Sequence, residues 1–147
     1  MINEEMRISV APPCNLDQFR ADLEESIQDE LCDIGFYAGI ALEAPTDILR
    51  LLTISIVGDE YAHARIQAAL LGVNPPPLST PPACPTPTGD FKEDVETAIA
   101  GEISAVARYS MLAQCAPTAN IRYLLTSIIT DEYGHAKIWS AMLNALS

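Results

Sequence analysis

Basic residues are scarce: the 147-residue chain has 8 Lys and Arg against 20 Asp and Glu, a formal charge of −12. Nucleic-acid binding requires a basic patch, so no nucleic-acid partner is expected. Long apolar runs are also missing. None reaches 18 residues, so no membrane association is expected. The start Met1-Ile2-Asn3-Glu4-Glu5 is acidic and is followed by no apolar stretch of a secretory leader. A cytoplasmic location is the expectation. Cys-x-x-Cys spacing is absent: Cys14, Cys32, Cys84 and Cys115 stand far apart, with neither zinc-ribbon nor dithiol-redox spacing. Free thiols in a reducing compartment are expected. What remains is a chain 49% hydrophobic, long enough for one domain with a real core.

Against that background one motif stands out. Asp59-Glu60-Tyr61-Ala62-His63 recurs as Asp131-Glu132-Tyr133-Gly134-His135, 72 residues on. Glu30 precedes Glu60 by the interval at which Glu102 precedes Glu132. A single Glu-x-x-His arises by chance in many helices; two copies in one register, each with its upstream Glu, do not. The repeat extends beyond the motif. Residues 19–75 laid on 91–147 match at 22 of 57 positions, including Phe19 with Phe91, Tyr37 with Tyr109, Ala44-Pro45-Thr46 with Ala116-Pro117-Thr118, and Arg50 with Arg122. With only two copies, each holding two helical patterns, duplication of a helical hairpin fits better than a solenoid.

Steps of three and four residues mark four helices. The first, from about Asp17 to Leu42, has the stripe Phe19, Leu23, Ile27, Glu30, Ile34, Tyr37 and Ala41. The second, from Asp47 to Leu71, has Leu49, Leu52, Ile56, Glu60, His63, Ile66 and Leu70, with Thr46 to cap its start and Gly72 its end. The third begins near Asp90, where Asp-Phe-Lys-Glu resembles a capping box, and carries Phe91, Val95, Ile99, Glu102, Val106 and Tyr109. The fourth, from Thr118 to Ala145, carries Ile121, Leu124, Ile128, Glu132, His135, Ile138 and Met142. In every helix a glutamate occupies a core position, where an unpaired carboxylate is least tolerable. The stripes contain no Lys or Arg to pair with it.

Pro45 lies midway between Glu30 and Glu60, and Pro117 midway between Glu102 and Glu132. If each proline marks a hairpin tip, both glutamates of a hairpin sit at one height, about 22 Å from it. The organisation read from this is one domain: hairpin one over about 17–72, a crossover over 73–89, and hairpin two over about 90–147. The crossover holds Pro75, Pro76, Pro77, Pro81, Pro82, Pro85 and Pro87. As polyproline II it spans roughly 50 Å, longer than a 25-residue helix at about 38 Å. It can therefore run the length of a bundle and make the third helix parallel to the second. The expected fold is an all-α four-helix bundle of two repeated hairpins joined by a long Pro-rich crossover.

Glu60 and His63 stand one turn apart, as do Glu132 and His135, and Glu30 and Glu102 face them. Four carboxylates and two imidazoles suit two divalent ions, whose charge cancels that of the glutamates. Asp59 and Asp131, about 100° round the helix from the ligand Glu, are placed to accept the other ring N–H of a histidine on a neighbouring helix. Tyr37 and Tyr109 lie two turns from Glu30 and Glu102, placed either to hydrogen-bond a carboxylate or as plain core aromatics. Asp33, one turn beyond Glu30, is a possible extra ligand without a counterpart, since its repeat mate is Ala105.

Over residues 17–147 the chain resembles the ferritin-like diiron-carboxylate superfamily. The all-Glu, two-His set is most similar to bacterioferritin and rubrerythrin, and less so to manganese catalase. The resemblance implies Glu30 and Glu102 as terminal ligands, Glu60 and Glu132 as bridging ligands, and His63 and His135 as one nitrogen ligand per metal. It implies two metal ions per chain, iron foremost, with Mn or Zn as alternatives. The implied function is a non-haem diiron oxidoreductase that oxidises Fe(II) or reduces dioxygen or peroxide. A non-catalytic metal-binding protein and a manganese catalase-like enzyme are the alternatives. The rubredoxin domain of rubrerythrin has no counterpart, so an external electron-donor protein is implied. Ser147 follows the fourth helix directly, without the fifth helix of storage cages. A homodimer is expected, burying the apolar surplus Leu51, Ile54, Val57, Tyr123, Leu125 and Trp139.

Overall fold

A computed structural model describes residues 14–81 and 83–147. The acidic stretch 1–5 and Pro82 of the crossover lie outside the described residues. Four α-helices account for nearly all of the regular structure: α1 (Leu16–Glu43), α2 (Asp47–Leu71), α3 (Phe91–Gln114) and α4 (Ala119–Ala145). None is long and apolar enough to cross a membrane.

Each helix starts on a side-chain cap that satisfies otherwise unpaired backbone N–H groups. Asn15 accepts from Asp17 N and Gln18 N, Thr46 from Leu49 N, Asp90 from Glu93 N, and Thr118 from Ile121 N. Gly72 closes α2 in the left-handed region, at φ 71°, where a Cβ is unfavourable. The expected capping box at α3 takes a different form: Asp94, not Glu93, turns back. Its carboxylate accepts from Thr88 N, Thr88 Oγ1 and Gly89 N. The repeated arginines close the two hairpins alike. Arg50 Nε donates to Ala41 O at 3.3 Å, and Arg122 Nε to Ala113 O at 3.2 Å. Each places a cation at the carbonyl end of the preceding helix, where the helix dipole favours it.

The hairpins α1–α2 and α3–α4 pack so that α1 lies beside α3 and α2 beside α4. Contacts fix the directions. Ser26 and Glu30 meet Arg108 and Tyr109, whereas Tyr37 reaches Gly101, so α1 and α3 are antiparallel. Thr53 meets Met142 and His63 meets Asp131, so α2 and α4 are antiparallel too. Helices α2 and α3 therefore run parallel, as the long crossover requires. That crossover lies along α1. A Cβ on Gly35 or Gly39 would overlap Thr80 or Pro87, so the two glycines form the shallow track in which it rests. Apolar packing divides into two clusters. One centres on Leu23, Ile27, Tyr109 and Leu125, the other on Ile40, Ile56, Val95 and Trp139.

Two sequence expectations fail here. The cysteines are not free thiols: Cys14 pairs with Cys115 and Cys32 with Cys84, and both pairs have Cα atoms 5.2 Å apart. Wide spacing along the chain hid pairs that the hairpin register and the crossover bring together. Leu125 and Trp139 are not surface surplus either, since both are fully buried. Leu51, Ile54 and Tyr123 do remain exposed, and Val57 is half-buried.

Cys32–Cys84 pins the crossover to the middle of α1 and closes a loop of 52 residues. Replacing both cysteines by serine is expected to lower unfolding stability by about 2–4 kcal/mol. Urea unfolding of the oxidised protein and the double variant measures this. An unchanged midpoint would mean that the crossover holds its place without the bond.

Candidate metal centre

Between the two apolar clusters lies a polar layer with one glutamate from each helix. Glu30, Glu60, Glu102 and Glu132 are all buried, as are His63 and His135. The helical repeat that turns Leu23, Ile27 and Ile34 inward turns Glu30 inward with them, because every step between them is three or four residues. The three-residue offset places each histidine one turn beyond its glutamate on the same face.

The six side chains form two overlapping groups. Glu30, Glu60, His63 and Glu132 bring one donor atom each to within 4.8 Å of one another; so do Glu60, Glu102, Glu132 and His135. Glu60 and Glu132 are common to both. His63 Nδ1 stands 2.9 Å from Glu132 and 3.5 Å from Glu60, while His135 Nδ1 stands 2.8 Å from Glu60 and 3.8 Å from Glu132. These contacts are short but not aligned as hydrogen bonds. Both Nδ1 atoms, both oxygens of Glu60 and one oxygen each of Glu30 and Glu132 are buried without a partner. Unpaired buried donors and acceptors on this scale are costly. Their convergence, all from oxygen and imidazole nitrogen, fits two divalent ions and fits no zinc-thiolate or haem site.

Surrounding residues set the orientation of these groups. Asp131 Oδ2 lies 3.0 Å from His63 Nε2, and Asp59 Oδ2 lies 2.9 Å from His135 Nε2. Each aspartate reaches across to the other hairpin's histidine, which fixes the Nε2–H tautomer and leaves Nδ1 facing the carboxylates. Tyr109 donates to Glu30 and accepts from Gln67 Nε2 at 2.7 Å. Tyr37 lies close to its mate's position, yet its hydroxyl has no aligned partner among the described residues. Asp33 belongs to neither group of four and lines a small cavity between α1 and α3.

Three residues that sequence patterns did not assign to the site take part. Trp139 Nε1 donates to Glu102 Oε1 at 3.1 Å. Gln67 holds the hydroxyl of Tyr109. Arg108 pairs with Asp29 at 3.0 Å and stands 3.8 Å from Glu30. No stripe contains a cation, yet this one approaches a core carboxylate from beside its stripe. A signal was available: all three are mismatches in the repeat, with Gln67 aligned to Trp139 and Phe36 to Arg108.

Electrostatics follow from burial. Burial and the neighbouring Glu60 and Glu132 charges push Glu30 well above the usual carboxylate range. Burial pushes Glu102 up to about 9. Burial acts the same way on Glu60 and Glu132 but is outweighed by the close imidazoles and the neighbouring Glu30 and Glu102 carboxyls, so both lie low. Burial alone would lower His63, but Glu132 and Glu60 raise it to about 10, and His135 is raised likewise. Burial, with Glu60 next, lifts Asp33 to about 8. Without metal, then, protons sit on both imidazoles, Glu30 and Glu102, and cancel the charge of Glu60 and Glu132.

A family model described as Rubrerythrin matches residues 93–147, which cover nearly all of α3 and α4. No curated protein and no solved structure matches the chain.

The protonation pattern has a definite sign. The four raised groups hold more protons folded than unfolded between their ordinary values, 4.5 for Glu and 6.5 for His, and their raised ones. Stability of the metal-free protein is therefore expected to fall as pH rises through that window towards about 10. Metal binding at these groups would expel those protons, so affinity is expected to rise over the same window. Anaerobic Mn(II) titration in weakly buffered indicator dye counts them. Release of none would contradict the assignment of donors.

Proposed function

We propose that this chain, a four-helix bundle that a rubrerythrin model matches over 93–147, is a ferritin-like non-haem diiron oxidoreductase acting on Fe(II), dioxygen or peroxide. The observation that carries this reading is the pair of overlapping four-residue groups with Glu60 and Glu132 in both. Glu30 and His63 complete one metal site; Glu102 and His135 complete the other. Two iron ions in these sites would supply two electrons to an oxidant bound between them.

The chain's own residues do the rest. Asp131 and Asp59 hold the histidine tautomers, Tyr109 and Trp139 fix the rotamers of Glu30 and Glu102, and the two apolar clusters keep bulk water out of the layer. Proton-bearing carboxyls in the metal-free state become ligands only as metal arrives, so the site loads without burying net charge. A separate electron-donor protein would restore Fe(II). Leu51, Ile54 and Tyr123, exposed on α2 and α4, are the apolar residues available for a homodimer contact. The location we infer is an oxidising compartment rather than the cytoplasm, because two disulfides are formed.

Loading with Fe(II) under argon and then adding hydrogen peroxide tests the reading. Iron binding is expected to saturate near two ions per chain, as a bundle with one dinuclear site allows. One peroxide and two protons should convert two Fe(II) to two Fe(III) and yield two waters. A soluble particle holding many iron atoms per chain would point to storage instead. Saturation at two without reaction would favour a non-catalytic metal protein.

A further inference from the structure

The duplicated hairpins are alike at the six donor residues and unlike just outside them. Between α1 and α3 on the Glu102 side lies a cavity of about 170 Å³, walled by Asp33, Phe36, Tyr37, Pro85, Ala98 and Gly101. The Cys32–Cys84 disulfide bounds it on the crossover side. The repeat mates of Asp33, Phe36, Ala98 and Gly101 are Ala105, Arg108, Ser26 and Asp29. At that equivalent place lies a larger cavity, about 430 Å³, which meets Asp29 and Arg108. Arg108 donates to Ser26 Oγ at 3.1 Å and pairs with Asp29 at 3.0 Å, and its guanidinium lies 4.9 Å from the ring centre of Tyr109.

The two tyrosines differ for the same reason. Tyr109 has its hydroxyl engaged by Glu30 and Gln67. The mate of Gln67 is Trp139, which bonds Glu102 directly, while the Tyr37 hydroxyl faces the same carboxylate without an aligned bond. The Tyr37 hydroxyl is consequently buried, only 1% exposed, with no partner among the described residues. It borders the cavity on one side; on the other its ring packs on Trp139, with ring centres 5.1 Å apart. The space is below the roughly 300 Å³ of pockets that take drug-sized ligands. At about 30 Å³ per water it takes a few small molecules. Its walls are mostly apolar, and its polar side chains are Tyr37, Asp33 and, on an exposed position, Thr97.

We infer that this cavity is a one-sided port that admits hydrogen peroxide to the dinuclear site, with Tyr37 and Asp33 as its hydrogen-bonding groups. A peroxide has a donor and an acceptor at each end, which suits a hydroxyl and a carboxyl facing a small apolar chamber. Arg108 lines the larger cavity on the pseudosymmetric side and reaches to 3.8 Å from Glu30, so it blocks that route and the oxidant approaches from the Glu102 side. This rests on the oxidoreductase reading for its substrate, but not for the port itself.

The test has one arm without metal. Trp139 is the sole tryptophan and sits behind Tyr37, so quenching of its fluorescence by dissolved dioxygen reports passage through the port. A Cβ at Gly101 would meet only the Tyr37 hydroxyl, at 3.8 Å, so Gly101→Leu fills the chamber without a backbone clash. Thr97→Leu, on an exposed position of the same wall, serves if the first variant fails to fold. In metal-free protein either variant is expected to lower the dioxygen quenching constant about threefold or more, because access then needs side-chain displacement. In iron-loaded protein the same variants should slow the bimolecular reaction with peroxide to a similar degree at unchanged iron content. Tyr37→Phe should leave dioxygen quenching as it is and slow the peroxide reaction about fivefold, as loss of one hydrogen bond implies. Unchanged quenching and unchanged peroxide rates in folded Gly101→Leu or Thr97→Leu would overturn the port. An unchanged peroxide rate in Tyr37→Phe would overturn the role of the hydroxyl. An unmutated, iron-loaded protein inert to both oxidants would defeat the oxidoreductase reading, while the quenching arm would still decide the port.

Discussion

Four carboxyl groups and two imidazoles lie out of contact with water on the inner faces of four helices, and a protein interior tolerates such a set only if protons or cations cancel its charge. The rest of the structure follows from that constraint. The helices must present their glutamates at one level, which sets the hairpin tips midway between paired glutamates. The second hairpin must face the first, which needs a crossover long enough to run along α1. The apolar clusters divide above and below the polar layer because the layer interrupts them. In the metal-free protein the cancelling charge is supplied by protons on His63, His135, Glu30 and Glu102.

Duplication built this layer, and divergence around it gives the two halves different surroundings. Glu30 is oriented by Tyr109 with Arg108 nearby, whereas Glu102 is oriented by Trp139. A cationic guanidinium near Glu30 and an indole N–H on Glu102 make the two halves electrostatically unequal. The Arg108–Asp29 pair places charge on one flank of the layer, and the Asp33–Gly101 combination leaves a small cavity against Tyr37 on the other. The aspartate–histidine contacts, by contrast, are kept in both halves, and each crosses from one hairpin to the other. They tie α2 to α4 at the level of the site.

Much of this was legible in the residues. Steps of three and four placed all four helices within a residue or two, since long amphipathic patterns with Thr and Asp caps leave little ambiguity. The bundle followed from the repeat and the proline-rich crossover. The cross-hairpin placement of Asp59 and Asp131 was also accessible, because it depends only on helical angle and the pseudo-two-fold relation. The disulfides were not legible: Cys14–Cys115 and Cys32–Cys84 join residues 101 and 52 apart, and only the three-dimensional course of α1 and the crossover brings them together. Trp139 and Leu125 were misplaced on the surface because a one-stripe reading of α4 understates how wide a face a bundle buries. Arg108 escaped notice for a related reason: its flexible stem reaches a core carboxylate from the edge of the helix face.

The shared position of Glu60 and Glu132 is the central claim, and the metal content of single variants tests it most directly. Cobalt(II) bound per chain should be compared for the unaltered protein, Glu60→Ala and His63→Ala, each shown to be folded by circular dichroism. The account predicts two ions in the unaltered protein, about one in His63→Ala, and well under one in Glu60→Ala, because Glu60, unlike His63, serves both sites of the bundle. One ion retained by Glu60→Ala and His63→Ala alike would contradict it.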